Sequence, residues 1–203
     1  MKVTSIVPVD QRKSKVFLDE DFAFVLYGGE LRRYGIQEGG QVSEELYRKI
    51  EEEVLNKRAR ERSLYLLQNS DKTESQIRKK LLEEGFPLAV TERTLEFLKH
   101  YRYVDDRSLA KRYVEDKSRV KSKKQMAWEL CQKGMDGELV REALKEGAPE
   151  KEAISRLIRQ KTGGKMPGTQ QERRRLYGYL GRKGFSYEEV RSVLGELEEE
   201  TWE

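Results

Sequence analysis

The spacing of apolar and polar positions changes once along the chain. Val16-Phe17-Leu18 and Phe22-Ala23-Phe24-Val25-Leu26-Tyr27 are two β-favouring runs around the short acidic turn Asp19-Glu20-Asp21, which predicts a hairpin. A further short strand is expected at Val3 to Val7, ended by Pro8. The pairs Gly28-Gly29 and Gly39-Gly40 punctuate the segment that follows, and Ser43-Glu44-Glu45 starts a helix. A small β-containing unit is therefore expected over residues 1–57.

From about residue 54 the period is helical. Ala59, Ser63/Leu64 and Leu67 fall at three- and four-residue steps and mark one helix face. Thr73-Glu-Ser-Gln76 then has the form of a capping box, so a second helix begins there, with Ile77, Leu81 and Leu82 as its buried stripe and Gly85 as its stop. Pro87 opens a third helix carrying Val90, Leu95, Leu98 and Tyr101. The same grammar returns twice. Asp105-Asp106 offers an N-cap before Leu109, Ala110, Tyr113 and Val114; Ser122 to Gln125 is a second box, Met126 and Leu130 a second stripe and Gly134 a second stop. Asp136 caps the next helix, with Met135 and Val140 as a hydrophobic staple. The third copy has Ala153, Ile154, Leu157 and Ile158, the loop KTGGKMPG and a box at Thr169 to Glu172. It goes on to the stripe Leu176 and Leu180, Gly184, and a box at Ser186 to Glu189 with Phe185 and Val190 as the staple.

Counted from each glycine, positions −8 and −4 hold Ile77 and Leu81, Met126 and Leu130, Leu176 and Leu180, and position +10 holds Leu95, Leu144 and Leu194. The register predicts a mainly α protein of three tandem three-helix repeats, at 58–106, 107–149 and 150–203, the last with an acidic tail. Each unit buries little surface alone, so stacking is expected to give an elongated, curved array. The third capping box stands three residues earlier than the other two, which predicts an extra turn in that helix.

Composition supports this picture: 38% of the 203 residues are charged and 36% hydrophobic, which suits slender helical layers better than a wide core. One cysteine and one histidine leave no disulfide framework and no Cys/His metal cluster, and a reducing, cytoplasmic setting fits. The N-terminal residues have no apolar core long enough for a signal peptide, and no run approaches a membrane span. Charge comes in blocks: residues 107–135 hold nine Lys/Arg against three Asp/Glu and 156–183 nine against one, while 136–155 and the tail are acidic. Such blocks steer binding to a polyanion or to a partner with complementary patches.

Catalytic motifs fail one by one. Gly163-Gly164-Lys165 is followed by Met166 instead of Ser or Thr, and Arg159 occupies the upstream glycine position, so no phosphate-binding loop forms. Asp105-Asp106 sits where a helix needs a cap, His100 reads as a surface residue, and Cys131 beside the Leu130 stripe reads as a small, partly buried thiol. No enzyme, metal or cofactor is expected. What remains is a basic run, Lys117, Arg119, Lys121, Lys123 and Lys124, and a second block, Arg173, Arg174 and Arg175 with Arg182 and Lys183 beside Tyr177 and Tyr179. These are the candidate contacts to nucleic acid or an acidic protein surface.

Several segments also carry a family likeness. ARERSLYLLQNSDKTESQIRKKLLEEGF (59–86), YVDDRSLAKRYVEDK (103–117), ELCQKGM (129–135) and YLGRKGFSYEEV (179–190) resemble the RecX regulatory family, bacterial modulators of the RecA recombinase. The N-terminal KVFLDEDFAF and EGGQVSEE are similar to the extension of Gram-positive members. A monomer is expected, and the resemblance implies a protein of three tandem three-helix repeats. It would bind RecA nucleoprotein filaments in their groove and restrain ATP hydrolysis, strand exchange and co-protease activity, and would contact single- or double-stranded DNA without sequence preference. It singles out no residue of the basic blocks. The rival reading from the residues is a stand-alone DNA-binding regulator with helix-turn-helix-like units; a peptide-binding scaffold is a third.

Overall fold

Asp19 and Glu20 take left-handed φ values of 50° and 74°, so the hairpin closes on two residues and Asp21 already pairs with Leu18. Two successive left-handed residues give the turn whose twist matches that of the strands. The acidic turn is thus one residue shorter than the sequence suggested. The structure, a computed structural model, describes residues 1–200; the last three residues of the acidic tail lie outside them. Strands β1 (Val3–Pro8), β2 (Lys13–Leu18) and β3 (Asp21–Tyr27) form one antiparallel sheet in the order β1-β2-β3.

The Gly28-Gly29 pair opens a short helix, α1 (Gly28–Arg33), rather than a loop. Helix α2 (Glu44–Ile50) begins where Ser43 Oγ accepts from the Leu46 N–H at 3.1 Å. It continues through a π-helical turn (Glu51–Leu55) into α3 (Asn56–Asn69), so residue 57 lies inside a continuous helical run. Helices α4 (Glu74–Glu83) and α5 (Leu88–His100) complete a first unit, Met1–Asp105. A single core joins sheet and helices: Val16, Phe24 and Leu26 pack with Ile50, Leu55, Ala59, Ile77, Leu81, Leu95 and Leu98.

Thr73 and Gln76 form the expected reciprocal box, each side chain accepting from the other's N–H at 3.1 Å. Ile77 and Leu81 are fully buried, but Leu82 is 42% exposed and Tyr101 59% exposed. Leu82 stands one residue past Leu81, a rotation of about 100° off the buried stripe. Tyr101 follows the last turn of α5 and meets Phe97 at the surface.

Arg78 clamps α4 to α5 by donating to Glu74 and Glu92, each at 2.7 Å. The hydrogen bond from Arg78 holds Glu92 below the usual carboxylate range. Burial pushes Glu74 up, but donation from Arg78 and Lys99 outweighs it and the net direction is down. Folded values below unfolded ones mean stability that is complete above the ordinary glutamate pKa and is lost as pH falls through the folded values. Urea midpoints between about pH 6 and pH 3 are therefore expected to fall less in Arg78→Met than in the parent, because the variant has already lost that contribution.

The second unit, Asp106–Glu203, holds two three-helix sets. Helices α6 (Asp106–Lys117), α7 (Lys123–Gln132) and α8 (Gly137–Lys145) surround Ala110, Val114, Met126, Leu130, Met135, Val140 and Ala143. Helices α9 (Glu150–Thr162), α10 (Gln170–Gly181) and α11 (Tyr187–Glu200) surround a larger core that includes Ile154, Leu157, Leu176, Leu180, Phe185, Val190 and Leu194. Gly85, Gly134 and Gly184 have φ values of 83°, 77° and 89°, so all three stops are left-handed. Only part of the predicted extra turn is helical: α10 has 12 residues where α4 and α7 have 10, which adds about half a turn, and the third extra residue lies in the turn before Gly184.

Two sequence readings change here. Ser122 caps α7 by accepting from the Gln125 N–H, but the reciprocal half of the box is missing. The Ser122 N–H donates instead to the Lys183 carbonyl at 3.0 Å, and the Gln125 side chain turns to Glu129. Cys131 is exposed rather than partly buried, since Leu130 takes the inward position and its neighbour rotates outward.

Candidate partner-binding surface

The first basic run spans the end of α6, a turn, and the start of α7. Ser118 is buried, its N–H donating to the Val114 carbonyl at 2.8 Å, and this pins the turn that carries Lys117 and Arg119 outward. At the start of α7 the orphan backbone donors are met from two sides: Ser122 takes the Gln125 N–H and the Glu150 carboxylate takes the Lys123 N–H at 2.8 Å. The Ser122–Lys183 contact and the Glu150 contact together bring Lys123 and Lys124 to the α10–α11 corner, where Arg182 and Lys183 stand.

The ten candidate cations are therefore unequal. Lys121 is drawn inward: its ammonium lies 2.7 Å from both carboxylate oxygens of Glu129 and over the Tyr113 ring, so it holds α7 to its own turn. Arg173 is tied to Glu198 of α11 at 2.5 Å. Arg119, Lys124, Arg174 and Arg182 are exposed, and among the described residues none of them is in an ion pair. The two sequence blocks thus meet only in part: Lys123, Lys124, Arg182 and Lys183 share one corner, while Arg173, Arg174 and Arg175 sit about nine residues earlier on α10, roughly 13 Å away along its axis.

Neither tyrosine of the second block offers a bare ring. Tyr177 stacks on Tyr187 at 4.6 Å, and burial raises its phenol pKa above the ordinary range. Tyr179 carries two ammonium groups, Lys183 at 5.2 Å and Lys161 at 5.3 Å. Lys161, the first residue of the KTGGKMPG segment, does not stand out in the sequence because it lies in the last turn of α9, eighteen residues before the ring it meets. A cavity of about 380 Å³ lies beside it, walled by Lys161, Lys165, Arg175, Met166, Pro167 and Leu176.

Among the described residues no group of three His, Cys, Asp or Glu is placed to hold a metal, and no helix is long and apolar enough to cross a membrane. The exposed cations of this surface can attract anions.

Three family models match the chain in order: the first three-helix domain of RecX over residues 59–98, the second over 105–144 and the third over 149–194. The chain belongs to the RecX family. A curated relative from Clostridium botulinum (strain Eklund 17B / Type B), named Regulatory protein RecX, is 28% identical over 202 residues, covering 96% of this chain and 95% of its own. A second of the same name, from Caldanaerobacter subterraneus subsp. tengcongensis, is 28% identical and covers 96% and 98%. Of solved structures, a regulatory protein RecX superposes with a TM-score of 0.58 at 23% identity, over 95% of this chain and 98% of that one. RecX from Lactobacillus salivarius gives 0.59 at 18%, over 70% and 96%. These two likenesses speak to the RecX fold alone.

Proposed function

We propose that this chain is a regulator of the RecA recombinase, binding RecA nucleoprotein filaments and inhibiting their ATPase, strand-exchange and co-protease activities. The observation that carries the reading is the end-to-end match to proteins named Regulatory protein RecX, with the three repeats in the same order. The reading needs no catalytic step. It also gives the exposed cations Arg119, Lys124, Arg174 and Arg182 a role in long-range attraction to an acidic, phosphate-rich filament. Several weak charged contacts spread over neighbouring protomers add through effective concentration. Preferential binding to one filament state then shifts the filament's population towards it.

The deciding experiment is RecA ATPase on single-stranded DNA, titrated with the full chain. A dose-dependent fall supports the reading. No effect at saturating protein, with tight sequence-specific DNA binding in a gel shift without RecA, would replace it with the stand-alone DNA-binding regulator.

The structure also sharpens the choice of variants. Reversal of Arg119, Lys124 and Arg182 to glutamate is expected to weaken filament binding at least about tenfold and to flatten its salt dependence. Lys121→Met is expected to leave binding within about twofold and lower stability instead, because Lys121 is occupied by Glu129. Equal losses of binding from the two would remove this corner from the contact.

A further inference from the structure

The first unit carries a surface that the basic blocks did not predict. Lys99-His100-Tyr101-Arg102-Tyr103, at the end of α5, intersperses cations with aromatic rings. Tyr101 is 59% exposed and Tyr103 52% exposed. Between them lies Phe97, with ring centroids 4.8 Å from Tyr101 and 6.3 Å from Tyr103, and the two tyrosines are 6.4 Å apart. From α3 the Arg60 guanidinium covers Phe97 at 4.4 Å.

Two further observations separate this cluster from an ordinary helix end. Arg102 takes a left-handed φ of 57°, which is unfavourable for any residue with a Cβ, where the second helix of each repeat uses glycine. That conformation lets the Tyr103 N–H donate to the Leu98 carbonyl at 2.8 Å, and it folds Tyr103 back beside Tyr101. Moreover, among the described residues Arg60 and Arg102 are in no ion pair, whereas Arg58, Arg62, Arg78 and Arg93 of the same unit each hold a carboxylate. Lys99 is engaged by Glu74 at 3.1 Å.

The geometry points to a binding site for single-stranded nucleic acid, in which bases stack on Tyr101 and Tyr103 and phosphates meet Arg60 and Arg102. Exposed flat rings accept any base face, and unpaired guanidiniums beside them supply the backbone contacts. A duplex keeps its base faces stacked internally and cannot use the rings. An apolar protein partner would leave both guanidiniums unpaired in the interface, which disfavours it. The inference does not depend on RecA.

The test uses the full chain and labelled oligothymidylate of about twenty nucleotides, an abasic strand of the same length, and a blunt duplex, followed by fluorescence anisotropy without RecA. Wild-type protein is expected to prefer oligothymidylate over the abasic strand. Tyr101→Ala/Tyr103→Ala should lose at least about tenfold for oligothymidylate and little for duplex, whereas Tyr101→Phe/Tyr103→Phe, which keeps the rings, should bind like wild type. Any one of three results overturns the site: no binding of oligothymidylate by wild-type protein, equal affinity for the abasic strand, or unchanged affinity in a folded double-alanine variant. If the double-alanine variant loses RecA inhibition but keeps free-strand binding, the patch is a protein contact and the inference fails. If wild-type protein binds the strand through these rings yet leaves RecA ATPase unaltered, the inference stands and the filament reading falls.

Discussion

Gly184→Ala is expected to destabilise the second unit by about 2–4 kcal/mol and to lower its unfolding temperature by about 10 °C or more. Two costs add. Any residue other than glycine is strained at φ 89°, by about 1–2 kcal/mol. A Cβ there would also sit 2.4 Å from Ser122 Oγ and 2.8 Å from Gln125 Cβ, so the start of α7 would have to withdraw from the α10–α11 corner. That withdrawal would strain the Ser122–Lys183 hydrogen bond, which helps place Lys124 beside Arg182. Gly178→Ala, within α10 and with only the Arg182 guanidinium near its Cβ position, is the control and is expected to stabilise by about 0.5–1 kcal/mol. Differential scanning calorimetry of both variants decides it. Equal, small shifts would mean that the glycine register records helix stops alone and no close docking.

The contrast explains why the helix stops were readable and their second use was not. A stop is local: a left-handed residue after an apolar stripe and a capping box, all within about twelve positions. Close approach of Gly184 to Ser122 joins residues sixty-two apart, and Gly85, whose Cβ position is 2.5 Å from the Val25 side chain, joins a repeat to the sheet across sixty. Periodicity cannot see such contacts. The same limit explains the half-formed box at Ser122, whose N–H donates to a carbonyl in the next repeat instead of to the Gln125 side chain. It also explains why the basic run looked uniform, for Lys121 differs from Lys124 through Glu129 on α7 and Tyr113 on α6, neither of which adjoins it in sequence. The KHYRY cluster was visible as letters. Its meaning required knowing that Arg102 turns left-handed and that Arg60 arrives from another helix.

Leu130→Ala is expected to cost about 2–5 kcal/mol, while Cys131→Ala, one residue on, stays within about 0.5 kcal/mol of the parent. Leu130 is fully buried in the smaller of the second unit's two cores, where Ala110 and Ala143 contribute little volume and Met126, Met135, Val114 and Val140 do most of the filling. Removing its branched end leaves a cavity that two short helices cannot easily close, since α7 is fixed at its start by Ser122 and Glu150. Cys131 points to solvent and touches none of this core. Urea denaturation followed by far-UV circular dichroism measures both variants. If the two shift alike, the −4 position is not the inward face of this repeat. The shared register of Leu81, Leu130 and Leu180 would then no longer describe three equivalent helical cores.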